Sequence, residues 1–275
     1  MIVYPNCKIN VGLRIVERRP DGYHNLETIF YPIPLYDNLE FKELPPADAP
    51  YRFSLGGIPL DGSPDDNLVV RVFRAMQQEF SLPPLDIFLY KHIPTGAGLG
   101  GGSSDAAAMM TALNEAYDLR LTTADMQRRM AAFGADCAFF VTAKPALATG
   151  IGDRLSPTAL SLKGKHILLV KPDVHVSTKE AYAHVVPRAG GPSLEELVKA
   201  PISEWRDTVV NDFEPSVFAA HPQLAAIKQT LYDMGALYAA MSGSGSTMFG
   251  IFDRPVPEAP KVFADAFVFH KKLLK

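Results

Sequence analysis

The stretch Pro94-Thr95-Gly96-Ala97-Gly98-Leu99-Gly100-Gly101-Gly102-Ser103-Ser104-Asp105-Ala106-Ala107 decides how this chain is to be read. Five glycines in seven positions, 96–102, follow a strand-like run at 87–93 and lead into a helix-forming tail. Glycine reaches dihedrals denied to other residues, and without a Cβ it lets successive N–H groups converge on an anion at a helix N-terminus. A strand, such a loop and a helix start together make a phosphate cradle.

Two phosphate patterns compete for the loop. Gly96-Ala97-Gly98-Leu99-Gly100-Gly101 satisfies G-x-G-x-x-G, the fingerprint of a dinucleotide site. That site also needs a second strand ending in an acidic residue about 20 positions on, and here the distance falls at 115–118, within or just after a helix. The Walker pattern is missing, because Gly164-Lys165 is followed by His166. What is left is a longer loop ending in Ser103-Ser104, whose hydroxyls can cap the helix, touch phosphate or reach a metal. A plain turn with a serine cap is the simpler alternative, and the density of glycine weighs against it.

Outward from the loop, the spacing predicts strands and helices in βα alternation through the first half. Residues 1–16 read as a strand with Lys8 and Asn10 on one face and Cys7, Ile9 and Val11 on the other. Asp21-Gly22 is a turn signal, a strand follows over 26–35, and Tyr23 and His24 sit where turn meets strand. Residues 45–50 mark a loop, 51–55 a short strand, and 61–67 a polar turn that can cap a helix. That helix carries the stripe Val69, Val72, Phe73, Met76 and Phe80. Beyond the glycine loop, Ala106, Met109, Met110, Leu113 and Tyr117 form a second stripe. Thr122 with Asp125 resembles a capping box opening a third helix that Gly134 can close.

The stretch 155–165 lacks periodicity and holds Pro157 and Gly164, which places a domain boundary there, dividing the chain into 1–158 and 159–275. The second half reads as a strand at 166–170, a helix near 178–184, a loop with Gly190-Gly191-Pro192 and short helices. A helix near 223–234 follows, then strands at 237–241 and 247–252 and a last strand within 267–273. Two α+β domains are the expected architecture.

Composition narrows the class of partner. The chain has 275 residues, 47% hydrophobic and 21% charged, ordinary for a globular protein with a substantial core. A net charge of −3 without a dense Lys/Arg block argues against duplex nucleic acid or an anionic membrane and fits a small anionic ligand. Cys7 and Cys137 have no CxxC or Cys/His spacing, so they are expected as reduced thiols in a cytoplasmic protein without structural zinc. Neither a signal-peptide pattern nor an apolar run of membrane-spanning length is expected from the sequence.

Three further stretches could carry chemistry. Ser242-Gly243-Ser244-Gly245-Ser246-Thr247 lies between two predicted strands and is either a hairpin loop or a second set of donors facing the same ligand. Gly134-Ala135-Asp136 puts a carboxylate between a helix end and the apolar, strand-like run 137–140, where an unpaired charge is expensive. Lys8 is a candidate partner, either as a structural salt bridge or to orient and deprotonate a hydroxyl with Asp136. Tyr23-His24 is a candidate platform for a base, or a solvated turn. His175, His184 and His221 show no ligand spacing and are assigned no role.

These motifs resemble, in order, the three that define the GHMP small-molecule kinases: a Lys strand at 5–10, the Pro-x-x-x-Gly-Leu-Gly loop ending Ser-Ser at 94–107, and a C-terminal Gly-rich loop at 242–247. The closest likeness is to members acting on a cytidine-diphosphate-linked methylerythritol. It rests on Lys8-Ile9-Asn10, Asp21-Gly22-Tyr23-His24, Asp66-Asn67-Leu68, 98–104, Gly134-Ala135-Asp136 and Ala148-Thr149-Gly150-Ile151-Gly152. Beyond residue 155 it thins to Lys171-Pro172, Thr178, Tyr182 and the 242–247 loop. Cys137-Ala138 follows Asp136 where many members have Val-Pro, and the tail after Phe252 is short.

The resemblance implies a two-domain α+β fold, with a left-handed βαβ unit in the N-terminal domain and a ferredoxin-like C-terminal domain. It implies ATP with Mg²⁺ as cofactors and a small-molecule alcohol as acceptor. Lys8 and Asp136 would activate the substrate hydroxyl. Pro94, Gly96, Gly98, Leu99, Gly100, Gly101, Gly102, Ser103 and Ser104 would wrap the ATP phosphates, Asn67 would lie near adenine, and Ser104 is the one candidate metal ligand. His24 would hydrogen-bond the cytosine and Tyr23 stack on it, with Asn10, Thr178, Tyr182, Ser242 and Gly243 lining the substrate site. Homoserine or mevalonate kinases are the alternatives within the family, and Tyr23-His24 speaks against them because those substrates carry no base. A ligand-sensing relative would be expected to have lost Lys8 or Asp136, and a dehydrogenase reading rests on G-x-G-x-x-G alone.

Overall fold

The computed structural model describes residues 1–45, 49–183 and 185–274. In chain order it contains β1 (Ile2–Val3), β2 (Asn6–Arg18), β3 (His24–Tyr36), β4 (Asn38–Glu43), β5 (Tyr51–Gly57), α1 (Leu68–Phe80), β6 (Leu85–Lys91), α2 (Gly101–Ala116), α3 (Thr123–Met130), α4 (Cys137–Phe140), β7 (Ala146–Thr149) and β8 (Arg154–Pro157). There follow β9 (His166–Pro172), α5 (Thr178–Tyr182), α6 (Leu194–Leu197), α7 (Glu214–Ala220), α8 (Pro222–Asp233), β10 (Tyr238–Met241), β11 (Met248–Phe252), α9 (Ala259–Val262) and β12 (Ala266–Lys272). Part of the loop expected at 45–50 and His184, at the end of the helix expected near 178–184, lie outside the described residues.

The described strands form sheets of order β1-β4-β6-β5, β2-β3-β7-β8 and β10-β11-β9-β12. The expected βα alternation holds only from β5 to α2, because the chain opens with five strands in succession. Strand β5 pairs parallel with β6, and α1 is the crossover between them, so β5-α1-β6 is the βαβ unit. Strands β9 to β12 are all antiparallel, and with β9 counted first their order is 2-3-1-4, the split arrangement of a ferredoxin-like sheet.

Two compact units divide the chain. The first comprises Met1–Cys7, Leu35–Thr95 and Gly100–Ala143, and the second comprises Lys8–Pro34, Gly96–Leu99 and Lys144–Lys275. These units interleave along the chain. The reason is long-range packing: Leu13, Ile15 and Leu26 from the first two long strands share one core with Leu168, Val170, Phe213, Leu231 and Met248. In the first unit, α1 packs on α2, burying Val69, Val72, Phe73 and Met76 together with Met109, Met110 and Leu113, the two stripes read from the spacing.

Local signals at helix ends are met closely. Asn67 caps α1 by accepting from Val69 N–H at 2.9 Å. Thr122 and Asp125 form the reciprocal capping box of α3. That helix ends at Met130, before Gly134, through a cap at Ala131. The strand-like run 137–140 is instead the short helix α4, all four residues buried. A four-residue apolar run has no period that separates the two states, and burial on every side suits either.

Candidate active site

In the second unit the site is built on β2, whose residues from Cys7 through Leu13 are all buried. Alternation along the strand places Lys8 and Asn10 on one face, each 3% exposed. The Lys8 ammonium donates to Asn10 Oδ1 at 2.6 Å and to the Gly98 carbonyl at 3.0 Å, and lies 5.1 Å from the Phe30 ring centroid. A buried ammonium needs such acceptors, since desolvation without them is costly.

The Gly98 carbonyl also accepts from Ser242 Oγ at 2.8 Å, and that oxygen in turn accepts from Asn10 N–H at 3.2 Å. A Cβ on Gly98 would stand 1.9 Å from the Ser242 carbonyl oxygen, so only glycine permits this approach. Thr247 N–H reaches the Ala97 carbonyl at 3.3 Å and Lys8 N–H the Leu99 carbonyl at 2.9 Å. Lys8, Asn10, Gly98, Leu99, Ser242 and Gly243 therefore come together, and the 242–247 loop is more than a hairpin connection. Thr28 completes the group, accepting from Asn10 Nδ2 at 3.0 Å and donating to the Gly12 carbonyl at 2.6 Å. It was invisible in sequence because nothing separates it from any other strand threonine.

His24 and Tyr182 form a second feature of this unit, with ring centroids 4.9 Å apart and planes 25° from parallel. Phe213 packs edge-on against Tyr182, with ring centroids 4.7 Å apart. Tyr23, expected as the stacking partner, is 63% exposed on the turn, where its N–H donates to Asp21 Oδ1 at 3.1 Å. Thr178 is exposed at the first position of α5. His175 stands beside Gly96, where a Cβ would come within 3.3 Å of its ring.

In the first unit, α2 starts at Gly101 with Gly100 as its left-handed N-cap at φ +70° and no side-chain cap. The N–H groups of Gly101, Gly102 and Ser103 consequently have no acceptor within the helix and sit at the positive end of its dipole. Both ends of the loop are anchored by a buried triad. Asp37 Oδ1 accepts from His92 N–H and Ile93 N–H at 2.5 and 2.8 Å, Lys91 pairs with Asp37 Oδ2, and Lys91 Nζ donates to Asp105 Oδ2 at 2.6 Å. Burial pushes the Asp105 carboxyl up to about 7 against the pull of Lys91, with the Asp37 charge adding to the rise. Burial also works against the Lys91 charge, yet the two carboxylates hold its pKa above the ordinary value. No local pattern marks this triad, because its members lie 54 and 14 positions apart.

Asn67 borders a cavity of about 460 Å³ lined by Phe53, Leu55, Ser63, Asp66 and Thr95. Asp136 is half-buried at the N-cap of α4. Beside it burial pushes the Cys137 thiol up, with the Ser103 side chain opposing. Ser104 is buried, with its N–H on the Gly100 carbonyl at 2.9 Å. Among the described residues no group of three or more His, Cys, Asp or Glu side chains could hold a metal ion, and no helix is long and apolar enough to cross a membrane.

Comparison with known proteins is consistent with this geometry. The GHMP kinases N terminal domain matches residues 67–144 and the GHMP kinases C terminal domain matches 193–263. A Bacteroides fragilis protein named 4-diphosphocytidyl-2-C-methyl-D-erythritol kinase is 51% identical over 273 residues, covering 99% of this chain and 100% of its own. The chain belongs to the GHMP kinases. A Parabacteroides distasonis relative of this GHMP kinase, of the same name, is 48% identical over 274 residues, covering 99% and 100% of the two chains. A crystal structure of 4-(cytidine 5'-diphospho)-2C-methyl-D-erythritol kinase superposes with a TM-score of 0.84 at 30% identity, covering 98% of each chain. Membership makes the protein an ATP-dependent small-molecule kinase.

Proposed function

We propose that this GHMP kinase transfers the γ-phosphoryl group of ATP to the 2-hydroxyl of 4-diphosphocytidyl-2-C-methyl-D-erythritol, a step of non-mevalonate isoprenoid precursor synthesis, in the cytoplasm. The observation that carries the choice of acceptor is the His24–Tyr182 pair, in the same unit as Lys8. Two near-parallel rings braced by Phe213 offer a stacking surface and an imidazole hydrogen-bonding edge to a planar base, which homoserine and mevalonate lack. The names carried by the near full-length relatives support the same acceptor.

Phosphoryl transfer asks a protein mainly for positioning and charge neutralisation. In this reading the open N–H groups at the start of α2 receive ATP phosphate oxygens, and the cavity beside Asn67 takes the adenine. Asp136 accepts the proton of the acceptor hydroxyl. Lys8, held by Asn10 and Gly98, presents its ammonium to the transferring group. Tyr23, Thr178, Ser242 and Gly243 complete the acceptor side.

Mg²⁺ fits as a companion of the nucleotide. It retains waters and takes phosphate oxygens readily, so the Ser104 hydroxyl, without a metal-holding cluster among the described residues, still suits it. When bound, the ion would neutralise charge on the phosphates.

A coupled ADP-release assay offering the cytidyl-erythritol, homoserine and mevalonate in parallel tests the reading. Turnover with the first alone is expected. Preference for either of the others overturns it.

A further inference from the structure

Asn211 received no role from sequence, yet it is 2% exposed and forms an isolated parallel bridge with Leu13 of β2. Its side-chain amide is fully used. Nδ2 donates to the Met241 and Gly243 carbonyls, both at 2.8 Å, and Oδ1 accepts from Phe213 N–H at 3.0 Å. Carbonyls on one side and an N–H on the other admit a single orientation of the amide. The two carbonyls it holds flank Ser242.

From Ser242 the contacts continue without a gap. Because Ser242 Oγ accepts from Asn10 N–H, its own proton is directed to the Gly98 carbonyl at 2.8 Å. The same carbonyl accepts from the Lys8 ammonium, as does Asn10 Oδ1. We propose that Asn211 is a positioning residue for phosphoryl transfer: by holding both carbonyls around Ser242 it sets the Gly98 carbonyl and, through it, the place of the Lys8 ammonium. The inference rests on the reading of Lys8 as a group that meets the transferring phosphoryl.

Removing the amide strands two buried carbonyls without donors, which the loop relieves by moving. A displacement of about 1 Å at a catalytic group costs on the order of 100-fold in rate. Asn211→Ala is therefore expected to lower kcat by about 10- to 100-fold while the KM for ATP changes by less than about threefold. Ser242→Ala, which removes the hydroxyl link and leaves Asn211 in place, is expected to lower kcat in the same way and serves if Asn211→Ala fails to fold.

The discriminating readout is the side-chain ¹⁵Nζ resonance of Lys8 in lysine-labelled protein, identified by its loss in Lys8→Met. It should shift in both Asn211→Ala and Ser242→Ala. A loss of kcat with the Lys8 resonance unmoved, or an unchanged kcat in folded Asn211→Ala, overturns the positioning role. Wild-type turnover by Lys8→Met would overturn the underlying reading of Lys8 instead, so the two failures are distinguishable.

Discussion

The loop entering α2 and the loop joining β10 to β11 share a glycine and serine composition and differ in what surrounds them. The first ends on a 16-residue helix without a side-chain cap, and at Gly102 an added Cβ would meet nothing within 4 Å. In the second, Ser242, Gly243, Gly245, Ser246 and Thr247 are buried, Asn211 takes two carbonyls at its start, and Glu214 Oε1 accepts from Met241 N–H at 2.8 Å. One loop leaves the first N–H groups of its helix without a side-chain cap. The other has the Met241 and Gly243 carbonyls and the Ser242 and Ser246 hydroxyls bonded within the protein, while the buried Thr247 hydroxyl has no partner among the described residues. Glycine density reports that backbone comes close to something, and only the surroundings say whether that is a phosphate or another strand.

The comparison breaks most readily at Gly98, the residue of the first loop that touches the second. Gly98→Ala should lower kcat/KM on the order of 100-fold and depress Tm, because the clash is with backbone and cannot be relieved by a rotamer. Near-normal steady-state kinetics would show that the two loops need not meet.

Next in size, His24→Ala should raise the KM for the cytidyl acceptor about 10- to 100-fold, the worth of one stacked base, with the KM for ATP little changed. Equal effects on both constants would remove the acceptor assignment from the second unit.

Gly102→Ala should be milder. With open space around it and alanine favoured in helices, Tm should hold or rise, while the KM for ATP increases several-fold, about 1 kcal/mol, as a methyl intrudes on the anion site. A lowered Tm would mean that this part of the first loop is packed like the second.

The smallest effect is a pH dependence at the stem of the second loop. Burial raises the Glu214 carboxyl above its ordinary value, with Lys228 and the Met241 N–H opposing. A raised acid binds its proton more tightly when folded, so the stability it lends is complete below 4.5 and is lost as pH climbs through the folded value. Thermal melts across pH should show wild type losing stability relative to Glu214→Gln as pH rises. A parallel pair of curves would contradict the shift.

Much of this was legible in local chemistry. Asn67 and the Thr122–Asp125 box cap helices as their spacing requires, and the apolar stripes of α1 and α2 face each other. The strands expected at 237–241, 247–252 and 267–273 correspond to β10, β11 and β12 within a residue or so. The failures are of another kind. Residues 137–140 are too few to show a period that separates helix from strand. Thr28, Asn211 and the triad of Lys91, Asp37 and Asp105 act only through partners distant in sequence.

For residues 94–107 the sequence alone determined that a strand, a glycine loop and a helix start follow one another, since dihedral freedom and helix termini are local properties. Which glycine yields to a neighbouring strand and which stays open to a ligand was decided by tertiary structure. The Ser242 carbonyl lies 144 positions from Gly98, and only the paired strands of the folded chain bring their atoms into contact.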